Sequence, residues 1–131
     1  MKLTTCPQLH AYAEALGVRL VKHTGGIKGK YFHLSRTIST RRGLSIIAYK
    51  STLAHELAHA TYGDIPTGNG HFDQRQEARA DQWAANVLID PDHFYDAHIW
   101  HGGHLPSIAD ELEITQHLLT VWVSNLERKT A

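Results

Sequence analysis

The chain has one cysteine, Cys6, in 131 residues. That excludes an intrachain disulfide and any metal site built on paired cysteines. It has no apolar run near the roughly 20 residues that a membrane-spanning helix needs, so no membrane partner is expected. The opening segment, Met1-Lys2-Leu3-Thr4-Thr5-Cys6-Pro7, lacks the apolar stretch of a secretory signal. With the lone thiol, this leads us to expect a cytoplasmic protein. Acids are almost missing from the first fifty positions: Glu14 stands alone against nine lysines and arginines, a balance of +8. The remainder has four bases against twelve acids, −8, so the whole is neutral. The simplest reading is two oppositely charged halves folded against each other. The other is a basic surface for an acidic partner or nucleic acid. No repeat, linker or low-complexity segment interrupts the chain, and its length suits one domain with one core over residues 1–131.

Histidine is in excess, 11 in 131. Two of these residues belong to His55-Glu56-Leu57-Ala58-His59, inside the apolar, alanine-rich stretch Ser51–Ala60. That stretch should be helical. On a helix, side chains four apart share a face with Cβ atoms roughly 5–6 Å apart. His55 and His59 can then offer ring nitrogens to one metal ion. Glu56 is rotated about 100° from His55, beside the ion rather than on it, where a general base for attacking water belongs. The bland alternative is an amphipathic helix with two partly exposed histidines.

Periodicity places the other elements. Leu9, Tyr12, Ala13 and Leu16 predict a helix over 7–16, closed by Gly17. Strands are expected at Val18–Val21, Lys30–Leu34 and Thr37–Thr40, in a small sheet that short connections would make mostly antiparallel. The strand near Ser35–Thr40 is expected at an exposed edge, able to bind substrate by strand addition. A long helix should start between Leu44 and Ser51 and stop at Gly63. Asp64–Gly70 reads as a loop, and Asp73 as the cap of a helix reaching about Ile89. Further helices are expected from Pro91 to near Trp100, over Pro106–Leu112, and over Gln116–Arg128 with Thr115 as cap. The fold class expected is α+β and zincin-like. A small N-terminal sheet would pack on the metal helix, with a helical C-terminal half behind it.

A catalytic zinc site wants three protein ligands and one open position. The extended H-E-x-x-H-x-x-G-x-x-H pattern fails here, because Tyr62 and Ile65 occupy the corresponding positions. Glu77 on the following helix is the expected third ligand, with Asp81 and His71 as its rivals. Asp81 lies one turn beyond Glu77 and can accept the other ring N–H of a ligating histidine. The transition-state oxyanion needs a donor as well. The candidates are His71, Tyr95, His101 and His104; the pair His101 and His104 is favoured because Gly102-Gly103 lets that loop approach closely.

Two stretches, Thr52–Ala60 around the motif and Glu77–Pro91, carry a resemblance to the ImmA/IrrE family of metallopeptidases. The second stretch is similar to that family's E-x-x-A-[ND]-x-[FW]-A-A-x-x-L-[LI]-x-P signature, and a looser likeness runs from Leu16 to about Leu126. The resemblance implies one zinc ion per chain on His55, His59 and Glu77, with Glu56 as base. It also implies a protein substrate, typically a helix-turn-helix transcriptional repressor of a phage or mobile element. Asp81 stands where asparagine is common in the family. No separate sensor domain is seen, so partner recognition is expected to use this one domain.

The function expected is therefore zinc-dependent peptide hydrolysis. One alternative is a zinc-containing regulatory protein that holds a repressor without cutting it. Another is DNA binding: Ser107–Trp122 has helix-turn-helix spacing, with Ala109, Ile114, Leu119 and Trp122 at packing positions. Its second helix, however, offers Gln116, His117 and Thr120 and no base before Arg128. DNA affinity depends on neutralising phosphates and this half is acidic, so direct nucleic-acid binding is not expected.

Overall fold

Thr5 begins the first helix. Its hydroxyl accepts the Gln8 backbone N–H, while the Gln8 side chain accepts the Thr5 backbone N–H. This reciprocal cap starts α1 (Cys6–Ala15), which buries Leu9 and Ala13. Gly17, at a φ of 72° that favours glycine, turns the chain into β1 (Arg19–His23). β2 (Gly29–Phe32) and β3 (Thr37–Arg41) follow. Five helices complete the chain: α2 (Ile46–Tyr62), α3 (Gly70–Leu88), α4 (Pro91–Trp100), α5 (Leu105–Leu112) and α6 (Gln116–Thr130). This computed structural model describes residues 1–130. The architecture is α+β, as expected, and no helix among the described residues is long and apolar enough to cross a membrane.

The sheet differs from expectation in two ways. Its order is β1-β3-β2. β3 pairs with β2 antiparallel and with β1 parallel, so the pairing is mixed rather than mostly antiparallel. β3, expected at an edge, is central: Thr37, Ile38, Ser39 and Thr40 are all buried. The physical reason lies in residues 24–28. Gly25 and Gly26 both adopt positive φ, and Arg41 Nη1 donates to the Gly26 carbonyl at 2.7 Å. The connection can then pass the width of one strand, leaving a central slot for the most buriable segment. The edge strands are β1 and β2.

The core joins both halves. Leu9 of α1, Ile38 of β3, Leu53 and Leu57 of α2, Leu88 of α3, and Ile108 and Leu119 of α5 and α6 are almost fully enclosed. Ser45 caps α2 through the Ala48 N–H. Asn69, rather than Asp73, caps α3 through the Phe72 N–H. Asp73 instead accepts the Thr67 N–H and hydroxyl and stiffens the preceding loop. Thr115 caps α6, as expected. Buried Lys50 ties α2 to the turn after α5, reaching the Leu112 carbonyl and the Glu113 carboxylate.

One glycine positions the exposed strand. A Cβ at Gly29 would stand 2.5 Å from Thr52 Cγ2 and 3.4 Å from Glu56 Cγ. Gly29 thus lets β2 lie directly on α2, with buried Tyr31 facing the same way and Lys30 and Phe32 facing out. Gly29→Ala is expected to cost about 1–3 kcal/mol, the usual scale of overpacking. Thr52→Ala in the same chain should recover most of that by removing the obstructing methyl. Urea titrations of wild type, the single variant and the double variant check this; equal stability of Gly29→Ala and wild type would mean that β2 is not held against the helix.

Candidate metal centre

α2 presents His55 and His59 on one face, one turn apart. Their Nε2 atoms face each other at 3.2 Å. Glu77, from α3, completes the cluster: one carboxylate oxygen lies 2.7 Å from His55 Nε2 and the other 2.9 Å from His59 Nε2. The three donors all lie within 4.8 Å of one another. The loop after Gly63 reverses the chain so that α3 packs along α2, which brings Glu77 to the motif.

Each histidine is held from behind. His55 Nδ1 lies 2.7 Å from Asp81 Oδ1, and His59 Nδ1 lies 2.9 Å from Asp64 Oδ2. An ionised carboxylate only accepts, so each Nδ1 carries the proton and each Nε2 turns a lone pair inward. Two lone pairs 3.2 Å apart beside a carboxylate repel one another unless a cation sits among them. Tetrahedral zinc with Zn–N near 2.0–2.1 Å would set its ligand atoms roughly 3.3 Å apart, so the donor set fits such an ion in both chemistry and spacing.

By sequence alone Asp64 reads only as part of a loop. It reaches His59 through the helix cap. Gly63 closes α2 in the left-handed conformation, and the Asp64 N–H bonds back to the His59 carbonyl at 2.9 Å. This six-to-one cap folds the residue after the glycine back beneath the last turn. Arg79 Nη2 binds the other Asp64 oxygen at 2.6 Å and stacks on Tyr62, 3.9 Å from the ring centre. The signal in the sequence was a glycine followed by a carboxylate, five residues beyond a ligand candidate.

Glu56 is buried beside the cluster, in a cleft of about 200 Å³ that also borders His59, Glu77, Asp64 and Tyr31. Burial is the main influence on its carboxyl and pushes it above the usual range. Charge on His55 and His59 and the backbone N–H of Tyr31 pull the other way without cancelling this effect. A carboxylate so placed has a strengthened affinity for a proton, as a general base requires.

Asp81 bridges two histidines. Its second oxygen lies 2.7 Å from His117 Nε2 at the start of α6. Burial pushes the Asp81 carboxyl up, but the bonds to His55 and His117 outweigh it and hold it below the usual range. By sequence alone His117 reads only as a DNA-facing residue. It instead closes one side of a second cleft, shared with His55 and Glu56, so the first turn of α6 faces the cluster. The structure does not bring His101 and His104 here. They flank the turn between α4 and α5, bonded to Glu111 and Ser107 respectively, and border neither cleft. Nor do His71 and Tyr95 border them.

Comparison with known proteins adds one finding. The model of a peptidase family, described as the IrrE N-terminal-like domain, matches residues 13–118. That span includes every residue that lines the two clefts. Among curated proteins none matches the chain.

Two outcomes are expected for the isolated protein. Asp81→Ala should weaken metal binding about 10–100-fold, the usual scale for a lost partner of a ligand, and Asp81→Asn should weaken it less because the amide oxygen still accepts. Competition titrations with a chromogenic chelator measure both; complete loss in Asp81→Asn with retention in Glu77→Ala would make Asp81 the ligand. The second outcome concerns pH. Burial lowers the affinity of His55 for a second proton, but the Asp81 bond and the charges of Glu56, Glu77 and Asp81 outweigh it and push the imidazole up to about 9. The metal-free ring is protonated at neutral pH, and a ligand must shed that proton. Affinity should therefore rise with pH between 6 and 8 and level off above about 9; a flat profile would count against His55 as a ligand.

Proposed function

The chain belongs to the peptidase family of the IrrE N-terminal-like domain, and from that premise we propose that it is a zinc-dependent endopeptidase. The observation that carries this reading is the pair of inward-facing Nε2 atoms, 3.2 Å apart, with Glu77 closing the set and Glu56 beside it. His55, His59 and Glu77 hold one zinc ion per chain. When bound, zinc supplies Lewis acidity, bringing the pKa of water toward ~7 and polarising a carbonyl.

The other work falls to the chain's own groups. Glu56 accepts the proton of the attacking water and returns it to the leaving amine. Its burial favours the step, because a desolvated carboxylate binds that proton more firmly. Asp81 and Asp64 hold the two imidazoles in one tautomer throughout. The open edge of β2 receives the substrate backbone as an added strand, so that the scissile carbonyl lies beside Glu56. His117 borders the cleft where negative charge develops and replaces His101 and His104 as the candidate donor.

The substrate class we propose is a transcriptional repressor with a helix-turn-helix, from a phage or mobile element, cut in a cytoplasmic setting that suits a lone thiol. The support is the family alone. The non-cleaving alternative, a protein that only holds such a repressor, has no use for a buried carboxylate beside the cluster. The DNA-binding alternative is disfavoured by the bond from His117 to Asp81, which turns the first turn of α6 toward the cluster.

Glu56→Gln is the test. The amide keeps the shape and cannot take up the proton, so hydrolysis should fall on the order of 10²–10⁴-fold while metal content stays constant. Candidate repressors incubated with zinc-loaded wild type and variant, resolved by mass spectrometry, give the answer. Equal cleavage by both proteins would reject Glu56 as base. Activity that survives chelation and dialysis would reject the metal.

A further inference from the structure

The two charged halves do not neutralise each other. Of the nine lysines and arginines in residues 1–50, only Lys50 forms an ion pair with a carboxylate among the described residues. Lys2, Arg36 and Arg41 donate to backbone carbonyls. Lys28 and Lys30 have no carboxylate partner among the described residues, and both are exposed. They bracket Gly29 on the strand that borders the metal cluster.

The register of β2 fixes where these lysines sit. The Arg41 N–H donates to the Lys28 carbonyl at 2.8 Å, and Lys30 lies opposite Ser39. In an antiparallel pair, alternate residues turn their backbone groups toward the partner strand. Lys28 and Lys30 therefore face β3, while Gly29 and Tyr31 turn theirs to the open edge. Tyr31 and Glu56 line the same cleft beside that edge. Side chains alternate as well: Gly29 and Tyr31 look toward α2, and Lys28 and Lys30 look outward. Lys28 borders the cleft of His55 and Asp81, Lys30 the cleft of His59 and Glu77, and Glu56 borders both.

A peptide added to this edge would present alternate side chains to two unlike surfaces. Those facing in meet the carboxylates around the cluster. Those facing out pass Lys28 and Lys30. We infer that the protein selects peptide segments with two acidic side chains spaced two residues apart, one on each side of the bond to be cut, held by Lys28 and Lys30. Opposite charges facing across strands stabilise the pairing and like charges oppose it, so outward lysines in the peptide are rejected. This inference rests on the endopeptidase reading above and gives it a substrate preference. A nucleic acid would also meet these lysines. The open backbone edge beside Glu56 favours a peptide, since only a peptide can continue the sheet.

The experiment uses full-length, zinc-loaded Glu56→Gln protein and fluorescent peptides of equal length carrying Asp-x-Asp, Asn-x-Asn or Lys-x-Lys at the centre. Anisotropy should rank them in that order, with Asp-x-Asp roughly 3- to 20-fold tighter than Asn-x-Asn at low salt and the gap narrowing as salt rises. Lys28→Glu with Lys30→Glu should reverse the ranking. Lys22→Glu with Arg42→Glu, equal in charge but away from the edge, should leave it intact. Lys28→Gln with Lys30→Gln, checked for zinc content, should flatten the ranking and serves if the glutamate pair misfolds. Equal binding of Asp and Asn peptides, or no response to the lysine changes, overturns the inference. So does single-stranded DNA of the same formal charge that binds more tightly with the same lysine dependence. Wild-type protein incubated with the same peptides separates the two readings. Ranked binding without any cleavage leaves the surface standing and removes the endopeptidase; indiscriminate cleavage of all three does the reverse.

Discussion

Two imidazole nitrogens facing each other at 3.2 Å set the terms for the surrounding structure. With both rings neutral, neither can donate to the other, because each Nδ1 proton is committed to an aspartate. The arrangement is tolerable only if positive charge resides between the rings. In the metal-free protein that charge is a proton on His55, which the surrounding carboxylates retain up to about pH 9. In the loaded protein it is the cation. The carboxylates Glu56, Glu77, Asp64 and Asp81 carry more negative charge than two neutral imidazoles could balance. The site is thus built to hold positive charge.

That constraint explains why so many elements converge on one helix. α2 supplies both imidazoles, but each needs an acceptor behind it, and one helix face cannot provide both. The two acceptors arrive by different routes. Asp81 comes from α3, one turn beyond Glu77, so a single packed helix delivers a ligand and an orienting carboxylate together. Asp64 comes from the cap of α2 itself, because left-handed Gly63 swings the next residue beneath His59. β2 closes the remaining side, and it can do so only because Gly29 has no side chain to strike Thr52.

How much of this was legible in the sequence depends on the range of the interaction. The helices were readable because apolar spacing and local caps act within a few residues. His55, Glu56 and His59 were readable because one turn of helix relates them. Glu77 and Asp81 were within reach because one loop and one helix phase sufficed. The sheet order was misread because short connections favour hairpins, and nothing local reveals that the last strand inserts between the first two. Asp64 was passed over because its role depends on the handedness of one residue. His117 was set aside because a helix-turn-helix spacing and a packed pair of helices leave the same pattern of apolar residues. His101 and His104 were favoured on the flexibility of Gly102-Gly103, yet flexibility gives a loop no direction, and Glu111 and Ser107 hold these rings elsewhere.

The segregation of charge along the chain acquires a meaning from the same geometry. The acids of the second half are not spread to solvate an outer face alone. Glu56 and Asp64 are buried, Asp81 is half-buried, and exposed Glu77 turns its carboxylate onto the two histidines. The bases of the first half gain little from those acids, since inward-facing carboxylates are already engaged with histidines and with Arg79. Lys28 and Lys30 are left on the rim of the two clefts, one residue away from the acidic floor. Rim lysines and floor carboxylates therefore present two fields of opposite sign within one strand's width. Alternation of side chains turns that separation into a rule for any chain laid alongside: positions of one parity meet negative charge, positions of the other meet positive charge. A shift of one residue exchanges every pairing. Register along this edge is thus fixed by charge as well as by hydrogen bonds, and register decides which peptide bond lies beside Glu56.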